Sequence, residues 1–274
     1  MADAVRERVR ARYADVTTVE QAQRMVGRCI CQGTGWFTLD VEIGHPLFGQ
    51  AIPCICRQNT LAKKRAERLR ERSGIPDDRL REWSFASFRP DLSRPLTGQS
   101  REDCRAAMAQ AVRHCRRYAQ ELKGWLVLVG GVGSGKTHLA YAIAAAALQR
   151  DVGVYAATTP DMLDMLRASY GDDSFDLTFH RLKSVELLVL DDLGTENAKP
   201  WAVEKLYQLI NHRYTCHLPL VVTSNVPLAE VGRAADSRVL SRLMEGTRAR
   251  DGWSREVVLP AADFRPKAST KGAR

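Results

Sequence analysis

The stretch LVLVGGVGSGKTHLAYAIAAAA at residues 126–147 constrains this chain more than any other. Within it, Gly130-Gly131-Val132-Gly133-Ser134-Gly135-Lys136-Thr137 fits G-x-x-x-x-G-K-[ST] in full. The motif needs a strand before it and a helix after it, and both are legible: a buried strand at 125–130, and a helix at 136–150 whose alanines keep it thin enough to pack closely on a sheet. Glycines let successive backbone N–H groups curl around phosphate oxygens, and the helix N-terminus adds positive potential. Lys136 is expected at the β/γ-phosphates, and Thr137 offers a hydroxyl to Mg²⁺. The expected ligand is a nucleoside triphosphate, ATP, with its magnesium.

The same alternation continues along the chain. Strands are expected at 153–158, 185–192, 219–225 and 255–260, with helices at about 160–170 and at 202–214. The strand segments are continuous apolar runs, which argues for parallel strands covered on both faces. The expected fold class is α/β, a parallel sheet flanked by helices. The run LLVLDD ends in two carboxylates. Asp191 is expected to meet the Mg²⁺ beside Thr137. Asp192 either polarises the attacking water or caps the following turn. VVTSN ends the next strand, and Asn225 there either positions water or is an ordinary turn residue before Pro227. Arg238 and Arg242 stand four apart on one helix face, which by spacing alone reads as a solvated basic face.

Upstream the texture changes. Residues 1–72 carry 13 Lys and Arg against 8 Asp and Glu, a net +5 of the chain's +9. A basic protein favours polyanions. Cys29-x-Cys31 and Cys54-x-Cys56 are separated by 22 residues. Four thiolates in two pairs suit tetrahedral Zn²⁺, and about 70 residues this polar need such a staple to fold. Buried free cysteines or a redox pair are the alternatives. Cys104, Cys115 and Cys216 read as structural. Residues 57–72 form a basic helix that either contacts DNA or an acidic partner or simply connects. Val5, Val9, Tyr13 and Val16 mark an opening helix. Residues 73–100 hold Trp83, Phe85 and Phe88 and read as a connector that docks on the main domain. Residues 101–265 are that domain, and 266–274 read as a disordered tail. No apolar run is long enough to span a bilayer and the cysteines do not form a disulfide framework, so a cytoplasmic protein with no membrane partner is expected.

The order GSGKTHLA, LLVLDDLG, VVTSN, RVLSRLME resembles the AAA+ ATPases of the DnaC/DnaI helicase-loader type, whose branch includes the IstB-like transposition helper ATPases. His138 and the DDLG at 191–194 are more specific to the branch than the phosphate loop. ERSGIPDDRLREWSFASF at 71–88 is similar to its lead-in segment. The resemblance covers roughly residues 71–265 and implies an AAA+ P-loop ATPase domain, preceded here by a small N-terminal zinc-binding module. It implies nucleotide binding by Gly130–Thr137 and His138. Asp191 becomes the metal carboxylate, and Asp192 stands where most AAA+ proteins have glutamate, which points to slow, partner-stimulated hydrolysis. Asn225 matches sensor 1. Arg242, with Arg238 close by, matches an arginine finger acting on a neighbouring subunit. Arg265 is similar to the sensor-2 arginine. A finger acting in trans implies an ATP-dependent homo-oligomer.

Three functions follow from that resemblance. The first is a loader that holds the replicative ring helicase through the zinc module, binds single-stranded DNA and releases on hydrolysis. The second is a transposition helper acting on duplex DNA. The third is an ATP-gated adaptor that hardly hydrolyses. A small-molecule kinase is disfavoured, since no acceptor site is visible.

Overall fold

The computed structural model describes residues 13, 15–26, 28–170, 174–194, 200–230, 237–248 and 256–263. Arg265, the tail at 266–274 and the opening segment with Val5 and Val9 lie outside the described residues. The chain divides into two units, Met1–Arg68 and Leu69–Arg274. The boundary falls inside a helix, four residues before the position 72 at which the sequence changes texture.

The first unit holds helix α1 (Val19–Val26), a two-stranded antiparallel ribbon of β1 (Trp36–Phe37) and β2 (Ile52–Pro53), and the start of α2 (Ile55–Glu71). Its core is small: Val16, Ala22, Phe37, Leu39, Val41, Leu47 and Ile52, closed by Cys31 and Cys54. Residues 59–65 of α2 are all exposed, as expected of a helix that is polar all round.

The second unit opens with Ser73 and Gly74, then short helix α3 (Asp77–Glu82), a 3₁₀ turn at Pro90–Leu92 and the long α4 (Arg101–Glu121). The Ser100 hydroxyl accepts from Asp103 N–H and fixes where α4 starts. Strand β3 (Trp125–Val129) follows, then α5 (Lys136–Leu148), β4 (Val154–Thr158), α6 (Thr159–Ala168), α7 (Ser174–Ser184), β5 (Leu187–Asp191), α8 (Pro200–Thr215), β6 (Leu220–Ser224), α9 (Ser237–Gly246) and β7 (Glu256–Val258). The sheet order is β4-β5-β6-β3-β7, with every pair parallel.

Alternate residues feed opposite faces of this sheet. Leu126 and Leu128 pack with α4 and α5, whereas Trp125, Val127 and Val129 pack with α6, α7, α8 and α9. Strands β3, β5 and β6 are buried at every residue, which is why they read as unbroken apolar runs. Helix α5 is buried at ten positions, five of them alanine, so the chain can bring it close to the sheet. In the lead-in segment Ile75 is in the core, and Trp83, Phe85 and Phe88 pack against it. Ala156 N–H donates to Ser73 O at 2.8 Å, and a Cβ on Gly74, whose φ is +74°, would meet Ala156 O at 2.7 Å. Among the described residues no helix is long and apolar enough to cross a membrane.

Candidate nucleotide site and thiol cluster

The phosphate loop leaves β3 at Gly130 and ends where α5 begins. Gly133 (φ +72°) and Gly135 (φ +99°) hold it in left-handed turns that glycine adopts without strain. Neighbours crowd both. A Cβ on Gly135 would lie 2.7 Å from the Phe88 ring, and one on Gly133 would lie 1.8 Å from Asp263 Oδ1. Lys136 Nζ donates to the carbonyls of Gly130 and Gly131, both at 2.8 Å, across the mouth of the loop. The Ser134 hydroxyl is buried with no hydrogen-bond partner among the described residues. A buried polar group without a partner is costly, and an oxyanion cradled by this loop would satisfy it. The residues fit a bound polyphosphate.

Behind the loop the two carboxylates sit in one hydrogen-bonded network. Thr137 Oγ1 donates to Asp191 Oδ1 at 3.1 Å, and Thr223 Oγ1 donates to the same oxygen at 2.5 Å. Asp191 is 4% exposed. Burial pushes its carboxyl above the usual range, opposed by the hydrogen bonds from Thr223 and Thr137. Asp192 takes a positive φ of 56°. Its N–H donates to Thr223 Oγ1 at 2.9 Å, and Asn225 Nδ2 donates to its Oδ1 at 3.1 Å. Thr223 therefore grips both aspartates at once. The sequence reading singled out Asn225 in VVTSN and passed over Thr223. Its signal was a buried hydroxyl, shared with Ser224, at the end of a strand that begins apolar.

His138 belongs to the first turn of α5, but its Nε2 lies 2.9 Å from Ser84 O and 3.3 Å from Ser87 Oγ. Burial lowers its pKa. Beside the loop a cavity of about 300 Å³ is lined by Trp83, Phe88, Arg89, Leu92, Gly133–Gly135 and His138. Val132 is the exposed tip of the loop. Arg242 rests on α8: Nε donates to Asn211 Oδ1 at 3.1 Å, and the guanidinium lies 4.5 Å from the Tyr214 ring centre. Arg238 also lies on α8, 3.6 Å from Glu204 and 4.5 Å from the Tyr207 ring centre.

In the first unit the four Sγ atoms of Cys29, Cys31, Cys54 and Cys56 all lie within 4.8 Å of one another. Tetrahedral Zn–S bonds of about 2.3 Å put sulfurs roughly 3.8 Å apart, and the pairs Cys29–Cys31 and Cys31–Cys56 stand at 3.7 and 3.3 Å. The backbone N–H of Cys56 draws the Cys54 thiol down to about 6. Gln32, Gly33 and Gly35 all take positive φ in the turn after the first pair, and Cys54 N–H donates to Gly35 O at 2.9 Å. The cluster has the donor set and spacing for one zinc ion.

A second surface was not legible in the sequence. Tyr170, Phe175 and Trp201 meet edge to face, with Tyr170 5.4 Å from Phe175 and 6.1 Å from Trp201. Cations interleave them: Arg167 over Trp201, Lys205 over Phe175 and Lys183 over Phe179. Tyr170 and Leu177 are 64% and 75% exposed.

Residues 106–244, just over half of the chain, match the profile of the IstB-like ATP binding protein family. The chain belongs to this family. The matched segment contains Gly130–Thr137, His138, Asp191, Asp192, Asn225 and both arginines, and leaves the thiol cluster outside. The IstB-like segment is 29% identical over 119 residues to a protein of insertion sequence IS5376 from Geobacillus stearothermophilus named for ATP binding, covering 43% of this chain and 47% of the relative. The chain is 26% identical over 151 residues to the replicative helicase loader DnaC of Escherichia coli K12, covering 53% of this chain and 61% of DnaC. The chain spans about half the length of the relatives it matches. The fold is that of the crystal structure of the DnaC helicase loader, at TM-score 0.53 and 23% identity over 66% of this chain and 98% of that one. The IstB-like unit thus has the AAA+ P-loop fold.

Proposed function

We propose that this chain is an ATP-dependent loader of a replicative ring helicase. The observation that carries the reading is the four-thiol cluster, built in a unit of its own ahead of the ATPase unit. Zinc held by Cys29, Cys31, Cys54 and Cys56 would fix that unit as the grip on the helicase. The aromatic and cationic surface around Tyr170 and Trp201 supports single-stranded DNA as the second partner, since stacked bases and a charged backbone need both kinds of side chain. The cytoplasm is the compartment where such partners meet.

In this reading Gly130–Thr137 hold the triphosphate of ATP, and Lys136 turns from the loop carbonyls to the β/γ-phosphates. The cavity against Phe88 and Trp83 takes the base. Thr137 and Asp191 hold Mg²⁺, which supplies charge neutralisation at the phosphates. Asp192, oriented by Asn225, aligns water for hydrolysis to ADP and phosphate. Its carboxylate is one carbon shorter than glutamate and is tied down by Asn225, which favours slow, partner-stimulated turnover. Arg242, with Arg238 beside it, acts on the ATP of a neighbouring copy in an ATP-dependent oligomer, while Arg265, outside the described residues, is assigned to sensor 2 by resemblance alone.

Thr223→Val keeps the shape of the side chain but removes the donor to Asp191 and the acceptor for Asp192 N–H. Turnover is expected to fall roughly ten- to a hundredfold with Kd for ATP little changed, and Thr223→Ser to restore most of it. Equal turnover in the valine variant would take Thr223 out of the mechanism.

The loader reading is tested by pull-down of the host's replicative helicase, with and without ATP. The intact protein is expected to retain it, and Cys54→Ser/Cys56→Ser to lose it. The family match also favours a second reading, an IstB-like transposition helper. No helicase capture, together with preference for duplex over single strands, would move the assignment there. Negligible hydrolysis even with helicase and DNA present would make the protein an ATP-gated adaptor.

A further inference from the structure

His138 sits next to the two residues that hold phosphate and Mg²⁺ in the proposed site, yet its ring is given to a different task. A carbonyl oxygen only accepts, so the 2.9 Å contact with Ser84 O requires the proton on His138 Nε2. Ser87 Oγ, which donates to Glu82 O at 2.5 Å, receives the same N–H at 3.3 Å. The ring is flanked by Trp83, near-parallel at 6.5 Å, and by Phe88, edge-on at 5.1 Å. One imidazole thus ties down the turn Ser84–Phe88, and the far end of that turn is the ring lying against Gly135. All of these side chains except Ser84 line the 300 Å³ cavity beside the phosphate loop.

We infer that His138 is a positioning residue for the nucleotide base: by holding the Ser84–Phe88 turn it sets Phe88 against Gly135 and forms one wall of the cavity. The inference rests on the assignment of that cavity to the base. Without the Nε2 donor, Ser84 O is left with donors from its own turn alone, Phe88 N–H at 3.2 Å and the Ser87 hydroxyl at 3.0 Å, the turn loses its tie to α5 and Phe88 loses the ring it packs on, so the wall loosens while the loop glycines, Lys136 and Thr137 keep their places. The loss falls on recognition of the nucleoside, not of the phosphates.

The experiment is calorimetric titration of the full chain with magnesium ATP and, separately, magnesium tripolyphosphate, which has the phosphates and no base. His138→Ala is expected to weaken ATP about tenfold, a 1.4 kcal/mol effect, with tripolyphosphate unchanged. His138→Gln, whose amide N–H reaches the same place, is expected to restore ATP affinity. Phe88→Leu, which leaves His138 in place, is expected to show the same ATP-specific loss and serves if the alanine variant does not fold. Equal weakening of both ligands, or no weakening, overturns the inference. A wild-type protein that binds ATP no better than tripolyphosphate instead removes the base from the cavity, and the role of His138 with it. A wild-type protein that binds neither removes the nucleotide reading.

Discussion

Replacing Arg213 by methionine is expected to destabilise the second unit by about 3–5 kcal/mol, because several buried acceptors lose a charged donor and each one left unsatisfied costs about 1–3 kcal/mol. The side chain is completely buried, and its guanidinium donates to the carbonyls of Leu182, Lys183, Val185, Glu186 and Pro219 at 2.5–3.3 Å. Burial draws its pKa down to about 10, so it stays charged at neutral pH. These acceptors belong to the end of α7, the turn into β5 and the turn into β6, and one planar fork joins all three. Methionine fills much of the volume but leaves the carbonyls without their donor. Domains of this kind hold about 5–15 kcal/mol in total, so the loss takes a large fraction. The measurement is urea denaturation, where the midpoint is expected to fall with an unchanged slope. Arg213→Lys keeps the charge but concentrates three donors at one point, and an intermediate midpoint is expected. A shift below about 1 kcal/mol for methionine would mean that those carbonyls find other donors.

Metal removal is expected to have the other large effect, and a local one. Among the described residues the first unit has seven buried side chains besides Cys31 and Cys54, too few to order a segment of this length unaided. Structural zinc supplies about 10–16 kcal/mol in small thiolate and imidazole sites. Stripping zinc with a strong chelator is expected to abolish hydrogen-exchange protection over residues 28–56 and leave β3, β5 and β6 protected. Restoring one equivalent of Zn²⁺ should bring it back, and Cys54→Ser/Cys56→Ser should behave like the stripped protein. Full protection of 28–56 without metal would make the cysteines ordinary core residues.

The parts of the fold that were legible in the sequence are those fixed by local chemistry. The apolar runs at β3, β5 and β6 could be read because both faces of each strand are covered. The glycine loop could be read because phosphate recognition needs backbone, which permits few side chains. The three aromatics of the lead-in segment are too many for a free linker, and all three pack against buried residues. What escaped depends on pairs far apart in the chain. Arg213 looks like one more surface cation at the end of an amphipathic helix until three turns converge on it. Thr223 looks like a β-branched strand residue until Asp191 and Asp192 arrive from 32 and 31 positions away. Helix α7 has Phe175, Phe179 and Leu182 at helical spacing, but their aromatic partners Tyr170 and Trp201 come from two other elements. His138 was noticed for its place in the motif, and its partners at 84 and 87 could not be seen from there.

Ser73 and Gly74 have one more consequence. Strand β4 is the outermost strand of the sheet on its side, and an outermost strand offers unpaired backbone groups to any other chain that drifts alongside. The Ser73 carbonyl takes the Ala156 N–H, and Gly74 lies so close to Ala156 O that even a methyl group would collide with it. The segment that leads into the second unit is therefore also its guard against sticking to its own copies through that border. Two residues thus close one disordered route to self-association.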